Sequence, residues 1–308
     1  MPSWNEVLQE ITRIRSEAQN CLDTIRRKWL RKLHEHTGRN VIAYYSGFLS
    51  RPEIPSFIED EDKNGFMMAV HKLDRSKGLD LILHTPGGDI ASTQSIVHYL
   101  RKMFGADIRA VVPQIAMSAG TMIACCCKQI IMGKQSNLGP IDPQIAGVQA
   151  YGVIAEFRRA CREVKKDPDK IPIWQTIIGQ YRPAFLDRCE NAIKWSDQFV
   201  REQLVAAMFA NDPTADQKAK AIVRKLTDYR GNRTHSRHIH LDECEQIGLK
   251  VFRLEDDPTL QDVVLTIHHC YMHVFQNTPC HKAIENHLGM ALIKAARVAQ
   301  PPGHANPA

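Results

Sequence analysis

Between Asn40 and Met132 short β-rich runs alternate with helical patterns, and this alternation restricts the chain to few folds. NVIAYYS (Asn40 to Ser46), LDLILH (Leu79 to His84), IRAVVP (Ile108 to Pro113) and Gln129 to Met132 read as strands that end at turn signals. Gly65 to Leu73, Ile90 to Phe104 and Ser118 to Cys127 read as helices between or after them. Strands joined through helices pair in parallel rather than as hairpins, and right-handed crossovers would stack such units as successive layers. The expected class is α/β.

Outside this core, apolar residues Val7, Ile11, Ile14, Leu22, Ile25, Leu30 and Leu33 recur at helical steps from Trp4 to about Glu35. Residues 1–38 therefore read as an N-terminal helical arm, broken once, whose apolar stripe has no local cover. Residues 39–299 read as the main domain, and self-association into an oligomer is expected from the uncovered stripe and an apolar sheet face. A polar, proline-bearing stretch from Glu163 to Ile173 reads as a projecting loop before long helices over Trp174 to Ala210 and Ala215 to Leu226. The tail QPPGHANPA, residues 300–308 above all, reads as disordered.

Composition excludes some classes. Forty basic against 34 acidic residues give a formal charge of +6, too dilute for a dedicated nucleic-acid binder. The basic helix segment Arg26 to Leu33 reads as a solvated face with its Leu and Trp residues on a neighbour. Nine cysteines, three contiguous at Cys125 to Cys127, make a poor disulfide framework and read as reduced thiols. No apolar leader and no membrane-length apolar run occur, so a cytoplasmic, membrane-free protein is expected. His269 and His273 stand four apart, a metal-compatible spacing, but no acidic third ligand follows and packing is the expected role.

Two motifs carry the chemistry. His84-Thr85-Pro86-Gly87-Gly88-Asp89 and Ala116-Met117-Ser118-Ala119-Gly120-Thr121 each follow a predicted strand and precede a helix. Parallel sheets gather ligands at the carboxyl ends of their strands. A serine at a strand-to-helix turn exposes its hydroxyl where free N–H groups favour developing negative charge, which makes Ser118 a candidate nucleophile. Two glycines without Cβ let the backbone approach a substrate carbonyl, so the N–H groups of Gly88 and Ala119 form a candidate oxyanion hole, with Pro86 and Gly87 against the substrate.

These motifs, with Leu138-Gly139-Pro140-Ile141-Asp142-Pro143-Gln144 and the later block THSRHIHLDECEQIGL, resemble the serine dehydrogenase proteinase family, which is related to signal peptide peptidase A and the Clp protease subunit. The resemblance implies a Clp/crotonase-like fold of stacked ββα units, a metal-independent serine peptidase needing no cofactor, and assembly into oligomers. Ser118 matches the family serine, and Gly88 and Ala119 match the oxyanion-hole positions. Where Clp-type enzymes carry their histidine, this chain has Asp142.

Three residues are candidates for the base. Lys194 lies on the long helix that corresponds to the lysine-bearing helix of signal peptide peptidases, and it would need burial to lower its pKa. Asp142 could orient such a base or cap a turn. His235 needs no large shift to act. The competing functions are a peptidase acting on peptides or unfolded proteins, a crotonase-type acyl-CoA enzyme, and a silent oligomeric scaffold. No ATP-binding P-loop occurs, so any ATP-dependent unfoldase would be a separate chain.

Overall fold

The computed structural model describes residues 4–15 and 21–296. The tail expected from residue 300 lies outside the described residues. The arm forms α1 (Trp4–Arg15) and α2 (Cys21–Thr37). There follow β1 (Asn40–Ser46), α3 (Asp62–Val70), β2 (Leu79–His84), α4 (Ile90–Phe104), β3 (Ile108–Val112), β4 (Ile115–Ala116), α5 (Ala119–Cys125), β5 (Gln129–Met132) and β6 (Asn137–Leu138). A small hairpin, β7 (Gln144–Ile145) and β8 (Val148–Gln149), leads to α6 (Ala150–Lys166), α7 (Ile171–Ile178), α8 (Phe185–Ala206), α9 (Ala215–Leu226) and α10 (Tyr229–Asn232). The chain continues through β9 (Ile239–His240), α11 (Leu241–Ile247), β10 (Val251–Arg253), α12 (Pro258–Asn277), β11 (Cys280–Asn286) and β12 (Ala291–Ala295).

Seven strands form the central sheet in the order β10-β5-β3-β2-β1-β11-β12, and β4-β6-β9 form a second, three-stranded sheet. From β10 to β1 all neighbours are parallel, while β11 and β12 join antiparallel. Alternation along the inner strands sorts their side chains to two cores. Val41, Ala43, Tyr45, Ile82, Val111 and Ile131 meet α2 and α12 on one face. Ile42, Tyr44, Leu81, Leu83, Ala110 and Ile130 meet the opposite face, where α3, α4, α5, α8 and α9 pack. β1 and β2 are buried at every position, as a sheet covered on both faces requires. Each large aliphatic side chain so buried contributes about 1.5–3 kcal/mol.

Three expectations need correction. The arm is covered by its own chain: Leu30 and Leu33 are fully buried in the sheet-side core, and Val7, Ile11 and Ile25 pack with Cys270 of α12. Within the basic segment Arg26 is buried and pairs with buried Glu285 of β11, while Lys28, Arg31 and Lys32 stay exposed and Leu30 and Leu33 pack inward, as a solvated helix face requires. The arm's stripe therefore gives no reason to self-associate. The expected loop from Glu163 is instead the last turn of α6, a tight turn at Pro168–Lys170 and the start of α7. Conversely, the single helix expected over Trp174 to Ala210 is broken between Ile178 and Phe185, where Gly179 and Pro183 interrupt the helical ladder. His273 is buried against Trp4, with ring centroids 3.9 Å apart, and His269 meets the same indole edge-on, which is the packing role expected of that pair.

Candidate active site

The two glycine- and serine-bearing motifs meet at the carboxyl end of β2. Thr85 N–H donates to the Ile115 carbonyl (3.1 Å) and Met117 N–H donates to the Thr85 carbonyl (3.0 Å), which sets the turn after β2 beside the turn after β4. Asp89 caps α4 through the Ser92 N–H (2.7 Å), so that helix starts directly after the two glycines. Ser118 stands between β4 and α5 with φ +52° and ψ −116°. A residue with a Cβ in such a conformation stores about 1–3 kcal/mol of strain, and such outliers concentrate at functional sites. The Gly120 N–H bond to the Met117 carbonyl (2.7 Å) and the Met122 N–H bond to the Ser118 carbonyl (3.0 Å) hold the turn shut.

The two glycines differ in purpose. Gly87 has φ +100°, and a Cβ there would stand 2.7 Å from the Ser118 Cβ. It is buried against the serine turn, and unlike Pro86 and Gly88 it is not among the residues that line the cleft described below. Gly88 has no need of unusual φ, but a Cβ would lie 2.3 Å from the Ile58 nitrogen and 2.4 Å from its carbonyl oxygen. Ile58 bridges Gly88 in parallel, donating to the Gly87 carbonyl (2.8 Å) and accepting from Asp89 N–H (3.0 Å). That pattern turns the Gly88 N–H away from Ile58. Among the described residues neither Gly88 N–H nor Ala119 N–H has an acceptor.

The opposite wall comes from distant segments. Asp142 is buried, and its Oδ1 stands 2.8 Å from His235 Nδ1. Ninety-three positions separate the two residues. With Nδ1–H donating to the carboxylate, Nε2 is left as the acceptor. The peptide groups of Ile141 fix the approach: its N–H donates to the Leu226 carbonyl (3.2 Å), and its carbonyl accepts from Ser196 Oγ (3.2 Å). Thr121 of α5 ties this segment to the serine turn, because its hydroxyl donates to the Ala116 carbonyl (2.8 Å) and accepts from Gly139 N–H (2.9 Å).

Ser118, Gly88, Pro86, Asp142 and His235 line one cleft of about 790 Å³. Its apolar walls include Phe57, Met122, Ile145 and Trp195, the last held by its Nε1–H to Gln94 Oε1 (3.0 Å). Lys194 is not brought there. Its side chain is 74% exposed, it stands 3.9 Å from Glu190, and it borders a different groove. Residue Trp195, one step further along α8, faces the cleft instead, since successive helix positions point about 100° apart.

The support behind Gly88 comes from residues that no sequence motif singles out. Lys282 of β11 is 1% exposed; its Nζ donates to the Phe57 carbonyl (2.6 Å) and pairs with buried Asp62 (2.9 Å). Tyr44 Oη donates to Asp62 (2.8 Å), and Ser46 Oγ donates to the Ser56 carbonyl (2.8 Å). The segment from Ser56 to Ile58 is thus suspended from the central sheet. No local pattern announces this pair, because 220 positions separate its members.

The family model for ClpP-like SDH-type serine proteinases matches residues 12–273. Two uncharacterized proteins of Methanocaldococcus jannaschii are similar: MJ1495 is 30% identical over 231 residues, covering 73% of this chain and 71% of the relative. MJ0137 is 30% identical over 255 residues, covering 81% and 79%. The family match contains every residue of the cleft described above, and on it this chain belongs to the ClpP-like SDH-type serine proteinase family.

Proposed function

We propose that the chain is a serine peptidase that cleaves peptides or unfolded segments through an acyl-enzyme on Ser118, with His235 as base and Asp142 as its orienting carboxylate. The observation that carries this reading is the His235–Asp142 hydrogen bond (2.8 Å) in the same cleft as a strained Ser118. Ser118 Oγ attacks the scissile carbonyl carbon while its proton passes to His235 Nε2. The carbonyl oxygen, now an anion, accepts from Gly88 N–H and Ala119 N–H; each such donor is worth about 2.7–4 kcal/mol in the transition state. On collapse the C–N bond breaks and the His235 proton goes to the leaving amine. Water, deprotonated by the same imidazole, then attacks the ester carbonyl, and Ser118 leaves with that proton.

Phe57, Ile145 and Trp195 supply apolar surface for substrate side chains. Oligomeric assembly and delivery of substrate by a separate unfoldase belong to the same reading. A fluorophosphonate probe tests the nucleophile: Ser118 should be phosphonylated with loss of fluoride, and labelling should vanish in Ser118→Ala and fall steeply in His235→Ala. Labelling that survives in Ser118→Ala, or a folded wild-type chain that is never labelled, would remove the proposal.

A further inference from the structure

A second and larger groove, about 1440 Å³, opens on the far side of α8. Three helices each give it one face: Tyr151, Arg158 and Arg162 come from α6, Asp197 and Arg201 from α8, and Lys220 and Arg224 from α9. Seven lysines and arginines line it against four carboxylates, which concentrates a net of three positive charges from a chain whose total is +6. Asp216 pairs with both Arg201 (2.6 Å) and Lys220 (2.9 Å), one negative charge against two positive. Arg158, Arg162 and Arg224 have no ion-pair partner among the described residues, although Arg158 and Arg162 stand one turn apart on one face. Like charges at that spacing cost free energy unless an anion lies between them.

The floor is built rather than merely open. Ile154, Val205 and Val223 give it apolar surface, and Tyr151 Oη donates to Asp197 Oδ2 (3.0 Å). Asp197 Oδ1 is buried with no partner among the described residues, and burial raises that carboxyl's pKa above the ordinary range. Such an acceptor suits a hydroxyl or amino group on the same ligand. Guanidinium groups favour phosphate because their planar forks match its oxygens in pairs.

We propose that this groove binds an oligophosphate-bearing ligand, its phosphates on Arg158, Arg162 and Arg224, and that occupancy steadies the Asp142–His235 wall of the cleft. The coupling half rests on the peptidase reading. It follows from shared supports: α8 and α9, which flank the groove, hold both peptide groups of Ile141 next to Asp142 through Ser196 and Leu226. Thr227, Asp228 and Tyr229 border the groove just before the segment that carries His235.

Inorganic triphosphate is the probe, titrated calorimetrically into the full chain at constant ionic strength. Saturable binding that weakens at least tenfold in Arg158→Gln/Arg162→Gln, with the melting temperature of the free protein unchanged, is expected. No saturable binding, or binding equal in the variant, overturns the site. If an oligoglutamate peptide binds there and triphosphate does not, the groove is a protein-docking face and the phosphate assignment fails. Hydrogen exchange reads the coupling without needing activity: triphosphate should slow exchange in residues 139–143 and 233–238 of the wild type alone. Unchanged exchange there, with triphosphate bound, overturns the coupling. A chain that shows the protection but never labels at Ser118 would keep the anion site and sink the peptidase reading instead.

Discussion

The two walls of the cleft are built differently. The serine wall is backbone geometry: a strained Ser118, a left-handed Gly87, and a Gly88 pressed against Ile58, all at the end of a sheet buried on both faces. The histidine wall is side-chain geometry, a single hydrogen bond between Asp142 and His235, carried by segments that lie outside the central sheet. Backbone turns of this kind are dictated by which residues can adopt them, so they leave short local signatures. A side-chain pair from two segments leaves none beyond the residue types themselves.

The difference predicts where each wall breaks. Asp142→Asn should have the largest effect on turnover, about 10⁴-fold in kcat, because the amide would present the wrong hydrogen-bond partner to the imidazole and reverse its tautomer. The serine wall should be untouched, so single-turnover phosphonylation at high pH should recover more than peptide cleavage does. Equal loss across pH, or kcat within tenfold of wild type, would contradict a role for the Asp142–His235 bond.

Lys282→Met attacks the serine wall from behind. Removing Lys282 leaves buried Asp62 with only the longer contact to Lys294 (3.6 Å) and should cost about 3 kcal/mol in denaturant unfolding. Lys282→Met/Asp62→Leu removes both charges and should regain most of that stability. The Phe57 carbonyl stays unheld in the double variant, so kcat should remain depressed while KM changes little. A double variant that recovers both stability and kcat would show the pair to be structural only.

Acid should loosen the sheet beneath the serine wall by a smaller amount. His84, directly before the Thr85 turn, and His268 on α12 are buried; burial depresses both pKa values, that of His268 from 6.5 to about 3. The unfolded chain therefore binds more protons than the folded one between those values. Stability is complete above about pH 6.5 and is lost as pH falls towards 3. At pH 5.5 this should appear as a lowered urea midpoint that His268→Phe partly restores. A midpoint flat from pH 7.5 to 5.5 would contradict their buried, neutral state.

Much of the fold was legible because its signals are local. The bounds expected for β1, β2, α4, β5 and α9 coincide with those observed, since each is a periodic run closed by turn or cap residues such as Asp89 and Gly105. The break in α8's approach and the helical course of residues 163–173 were misread because propensity there competes with packing: α7 is seated by Trp174, whose ring lies under Arg159 of α6. Ser118 and Gly88 could be named from their motifs. His235 was one of three candidate bases, and no local pattern showed that its side chain, rather than that of Lys194, would reach the cleft.

What the sequence determined by itself, then, is the set of parts whose conformation depends on near neighbours: strands with two apolar faces, capped helices, and the two turns that only glycine or a strained serine can make. What only the tertiary structure decided is the pairing of parts far apart along the chain. Asp142 meets His235 across 93 positions, and Lys282 meets Asp62 across 220, while Lys194 turns outward although its neighbour Trp195 faces the cleft. The reason is physical: a turn's energy is set within a few residues, whereas a long-range contact is fixed by how whole helices and strands pack, which no local pattern encodes.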